Sequence, residues 1–167
     1  GFNFNVNTNA YTSDTGYWTG VDFTSFLINF GNYHGDATFG GQPQDFIIYA
    51  FTSVPGFSAF GSYEGVSNDL PYVNLGFQPR WVLIGNMDNA NDWVIYDSSR
   101  DKFSPNNAIL AANLPNDETL FTSGYDLDFV SNGFKIRSTS SGAINQASHT
   151  HVYAAFAESP LNYARAI

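Results

Sequence analysis

The chain has 167 residues, enough for one ordinary domain with a real core or for two very small ones. It sets 6 Lys and Arg against 15 Asp and Glu, and all six cations lie at Arg80 or later, an acidic balance that repels phosphate backbones and argues against nucleic acid as a partner. With no Cys it has no disulfide, thiolate metal site or Cys nucleophile, and no apolar run reaches the roughly 18 residues of a membrane span, so membrane insertion is not expected.

Aromatic residues make up 17% of the chain and charged residues only 13%. Asn, Gly, Ser and Thr are abundant. This composition suits a β-rich protein displayed on the outside of an assembly. The sequence opens with Gly and carries no basic-then-apolar leader, so a processed or partial chain is the simplest expectation.

Taken in chain order, "FNFNVN" alternates strictly. It places Phe2, Phe4 and Val6 on one face and three Asn on the other, which predicts a half-buried strand. "TGYWTG" reads as a loop that exposes Tyr17 and Trp18. "FLINF" (Phe26–Phe30), "FIIYAF" (Phe46–Phe51), "RWVLIG" (Arg80–Gly85) and "DWVIYD" (Asp92–Asp97) are too short for helices and rich in β-branched and aromatic residues. They predict central strands covered on both faces, with Trp81 and Trp93 in the core. The Asn/Asp loop "NMDNAN" joins the last two as a hairpin. "NNAILAANL" (Asn106–Leu114) is the helical candidate. "GFKIRS" alternates again, with Phe134 and Ile136 inward and Lys135 and Arg137 outward. "HVYAAFA" (His151–Ala157) closes the series. Short strands punctuated by turn residues predict an all-β fold: an antiparallel β-sandwich-like domain with at most one or two short helices.

The chain repeats itself. "VDFTSFLINF…QDFIIYAFTSVPGF" (Val21–Phe57) runs parallel to "LDFVSNGFKIRS…HTHVYAAFAESPL" (Leu127–Leu161), about 105 residues later. Both end in a Tyr-Ala-Phe strand followed by Pro. Residues 1–56 read as an N-terminal β segment, the truncated end of a repeat unit. Residues 57–167 read as one complete unit, forming one compact body with 1–56.

No catalytic motif is present: "GSYEG" sets its Ser one place early for a nucleophile elbow, and there is no P-loop, zincin or dinucleotide fingerprint. No enzymatic activity and no cofactor are expected. His149 and His151 stand two apart. On a strand they share a face and could ligate one metal; the plainer reading is two polar residues leading into a strand. Asn86, Asp88 and Asp92 in "NMDNAND" lack the order of a calcium loop and read as a solvated turn. Tyr17 and Trp18 are the candidate glycan or partner contacts.

Four blocks carry a resemblance: "GFSAFGSYEG", "LGFQPRWVLIGNMDNANDWVIYDSSRDKFSPNNAILAANL", "DFVSNGFKIRS" and "YAAFAESPLNYARAI". In this order and spacing they resemble a C-terminal domain of uncharacterised function in tail fibre and other virion surface proteins of tailed phages, of marine and cyanobacterial type. The likeness covers Phe57 to Ile167. Gly85 stands where that family usually has Lys, and the first unit lacks the "GFQP" block. The resemblance implies a non-enzymatic virion structural protein on the particle surface, in the tail fibre, elsewhere in the tail or decorating the capsid. Its partners would be further copies of itself, other virion proteins and a host-surface glycan. The rival expectation is a carbohydrate- or receptor-binding module.

Overall fold

A computed structural model describes residues 51–118, 124–139 and 141–158, and the strand placement of 18–22, 27–30 and 119–120. The chain divides into two compact units, one built mainly on Tyr11–Phe51 and one mainly on Thr52–Ile167. In the first, β1 (Trp18–Asp22) pairs antiparallel with β2 (Leu27–Phe30), with a register shift between Trp18 and Gly20. Leu27–Phe30 of "FLINF" is thus a strand of a two-stranded sheet, and Trp18 opens a strand where the sequence suggested a loop. "FNFNVN" and Ile48–Ala50 of the first Tyr-Ala-Phe stretch lie outside the described residues.

The second unit opens on a tight turn. Val54 O accepts from Phe57 N and Ser58 N, both at 2.9 Å, and Gly56 supplies the positive φ of 74° that the position after Pro55 requires. β3 (Ser58–Glu64), β4 (Tyr72–Asn74), β5 (Pro79–Asn86), β6 (Val94–Asp97), β7 (Ala108–Ala111), β8 (Thr119–Leu120), β9 (Leu127–Val130), β10 (Gly133–Ile136) and β11 (Thr150–Ala157) follow. They form two antiparallel sheets, ordered β3-β11-β5-β6-β7-β8 and β4-β10-β9. The fold is all-β. Among the described residues there is no helix.

Strand alternation makes the core. The six-stranded sheet turns Val82, Ile84, Val94, Tyr96, Ile109 and Ala155 inward, and the three-stranded sheet turns Val73, Leu127, Phe134 and Ile136 onto them. Burying each larger apolar side chain contributes roughly 1.5–3 kcal/mol. Tyr96 is fully buried, and its hydroxyl donates to Tyr125 O at 2.8 Å, so no polar atom is stranded there.

Two expectations need correction. Asn106–Leu114 is not helical: Ala108–Ala111 is β7, Ile95 pairs with Leu110, and Asn106 bridges Leu127. Ala and Leu favour helix locally, but the open edge of β6 offers a ladder that a two-turn helix cannot match. Trp81 is not in the core. It lies half-buried on the outer face of the six-stranded sheet, its ring centroid 5.6 Å from Phe156, whereas Trp93 is buried.

Candidate functional site

One end of the sandwich is closed by a polar network in which the sequence-selected histidines take part. His151, the second residue of β11, is fully buried and stacks on Tyr63 of β3, its register partner, at 5.2 Å and 13°. Its Nε2 accepts from Gln146 N at 3.4 Å, and its Nδ1 lies 3.2 Å from His149 O, to which it donates as the neutral tautomer. Burial holds its pKa below the ordinary histidine value. The Tyr63 hydroxyl donates to Ile144 O at 2.6 Å.

Two asparagines carry the rest. Asn86, at the end of β5, accepts from Asp88 N and Asn89 N at 2.9 and 3.2 Å and donates to Gly142 O at 2.7 Å. Its Oδ1 also lies 3.2 Å from His149 Nδ1. Asn145 accepts from Val66 N at 2.8 Å and donates to Asp69 O and Ser138 O at 3.1 and 2.7 Å, tying three loops together. The Asp88 carboxylate takes Thr150 N at 2.7 Å.

The structure places His149 and His151 in different settings. His149 precedes β11, so the pair does not share a strand face. Both ring nitrogens of His151 are spent on backbone, and a fully buried ring cannot reach a metal shared between copies. Among the described residues no group of three or more His, Cys, Asp or Glu is placed to hold a metal ion. Asn86, Asp88 and Asp92 likewise face separate partners, Asp92 Oδ1 accepting from Asn113 Nδ2 at 3.1 Å. Tyr17 and the side chain of Trp18 lie outside the described residues.

A cleft lined by Asp92, Val94, Ile109, Asn116, Asp117 and Tyr125 encloses about 50 Å³, room for little more than water. The surface is more informative. Val54 and Phe57 stand out on the turn before β3, Tyr72 is 48% exposed on β4, and Phe103 is 83% exposed in the β6–β7 connection. That connection is braced. The Asp101 carboxylate accepts from Asn107 N and Ala108 N at 2.7 and 3.1 Å, and Asn106 Nδ2 donates to Asp101 O at 2.6 Å. Sequence reading passed over Phe103 and Tyr72, since neither lies in a patterned run that separates display from burial.

The second unit is therefore a two-sheet β-sandwich module with a locked polar end and aromatic side chains displayed on its surface. The chain belongs to the family described as a domain of unknown function (DUF7483), whose model matches residues 2–160. Comparison with curated proteins and with solved structures gives no match.

Proposed function

We propose that this chain is a non-enzymatic structural protein of a tailed-phage particle, a tail fibre, tail-associated or capsid-decorating component that works by assembly and surface contact. The resemblance of its sequence blocks to phage virion surface domains motivates the setting. The observation that carries the reading is the display of Val54, Phe57, Tyr72 and Phe103 on a sandwich whose polar end is tied together by Asn86 and Asn145. Such a body offers apolar contacts to neighbours without needing a partner to complete its fold. Stable interfaces between copies bury on the order of 1,200–2,000 Å². Sedimentation of the full chain at micromolar concentration in moderate salt tests this. An oligomer is expected, and a monomer at every accessible concentration overturns the reading.

A further inference from the structure

The three-stranded sheet has an outward face as well as a core face. Register places Tyr72 opposite Lys135 and Lys135 opposite Asp128, so the three side chains form one row across β4, β10 and β9. Strand spacing makes that row roughly 10 Å wide. Arg137 continues the line of Lys135 on the same face. The braced β6–β7 connection runs beside β9, where Asn106 bridges Leu127 and Ser104 Oγ donates to Asp128 Oδ1. Lys102 and the exposed Phe103 precede Ser104 in this connection.

Two features coincide there. Tyr72 ends the row on β4, and the exposed Phe103 lies beside Ser104, which reaches Asp128 at the other end. Lys135 lies in the row, Arg137 reaches Asp128 beside it, and Lys102 precedes Phe103 in the connection; they are three of the six cations of a chain of net charge −9. Carboxylates are present too. Both oxygens of Asp128 are engaged, one by Ser104 and one by Arg137 Nε at 3.4 Å, and Asp126 Oδ1 accepts from Asn107 Nδ2 at 3.4 Å. Lys102 and Lys135 enter no ion pair among the described residues.

We propose that this outward face binds an acidic polysaccharide, with Tyr72 and Phe103 stacking on sugar rings and Lys102 and Lys135 meeting their carboxylate or sulfate groups. Aromatic faces take the apolar side of a sugar ring, and the row is long enough for two of them. Lys102 and Lys135 select a negatively charged chain from an otherwise repellent surface. A neutral glycan leaves the lysines without a role, and an anionic peptide leaves the aromatics without one. The inference does not rest on the virion reading.

Titration calorimetry of the full chain with oligogalacturonate, dextran sulfate, maltoheptaose and poly-glutamate tests it. At least one acidic glycan is expected to bind, with the neutral sugar and the peptide at least about tenfold weaker. Tyr72→Ala and Phe103→Ala each lower affinity about tenfold, equivalent to the loss of one stacking contact. Lys135→Gln lowers it and flattens its salt dependence. All three positions are surface sites, and unchanged thermal midpoints certify the fold. Binding to neither acidic glycan overturns the proposal. Equal binding of maltoheptaose or poly-glutamate, or full affinity in the aromatic variants, does so as well.

Discussion

Gly85 lies directly beneath the indole of Trp93: a Cβ built at residue 85 falls 2.5 Å from Trp93 Cε3 and 2.6 Å from Cδ2. The contact accounts for a glycine in the middle of an apolar strand. Trp93 fills the space that a side chain at position 85 needs. Gly85→Ala is expected to destabilise by about 1–3 kcal/mol through overpacking, because neither the strand nor a buried indole can yield freely. Urea midpoints of the two proteins measure this, and an unchanged midpoint shows that the ring can move aside.

Trp81 in β5 and Trp93 just before β6 differ in burial and should differ in cost. Trp93→Ala removes a core side chain and is expected to cost ~3–5 kcal/mol. Trp81→Ala strips a half-buried ring from the outer face and should cost clearly less. Denaturant midpoints give the order directly, and an equal loss at both positions contradicts the packing described.

Asn145→Ala should destabilise more than its size implies. The amide holds Val66 N, Asp69 O and Ser138 O together from inside the sandwich. Each buried group left unpaired costs about 1–3 kcal/mol. Asn145→Asp keeps the acceptor and loses both donated bonds, so it should not rescue. Thermal midpoints and exchange of the Val66 amide check this, and a near-wild-type Asp variant argues against the donor roles.

The Tyr63–His151 stack sets a pH dependence. The folded value for His151 is lowered by burial, so the unfolded chain takes up a proton first as the pH falls. Stability from this site is complete above the unfolded histidine value of about 6.5 and drains away as the pH falls below it towards the folded value. His151→Phe keeps a ring on Tyr63 and removes the titration. The variant should lose less stability than the parent between about pH 7.5 and about pH 5. An identical loss in both proteins assigns the acid sensitivity elsewhere.

The sandwich was legible where residue pattern and burial coincide. "GFKIRS" told its faces correctly because Phe134 and Ile136 alternate with Lys135 and Arg137 along a strand covered on one side. "RWVLIG" and "DWVIYD" announced interior strands by their apolar runs and paired as a hairpin. β7 was misread because its Ala and Leu carry helix preference, and the pairing that decides its fate is with Val94 and Ile95 of β6, beyond the reach of local sequence pattern. The polar end was invisible for a related reason. Asn145 acts on Val66 across 79 residues, and nothing in "AINQAS" separates a structural amide from a solvated one. His149 and His151 were found as a pair, but spacing cannot tell a ring that seeks a metal from one walled in by backbone.

The place of β11 in its sheet governs the order in which this protein can be made. β11 separates β3 from β5 and pairs with both, joining Thr150 to Glu64 across 86 residues. While the chain is emerging from the ribosome, β3 therefore has no native neighbour in this sheet among the described strands, and β5 has only β6. The two flanks can meet only when residues 150–157 arrive to fill the gap between them. Folding of the sandwich is thus held back until residues 150–157 have left the ribosome, as expected where long-range pairings dominate. The nascent edges of β3 and β5 are the surfaces that a chaperone must shield in the interval.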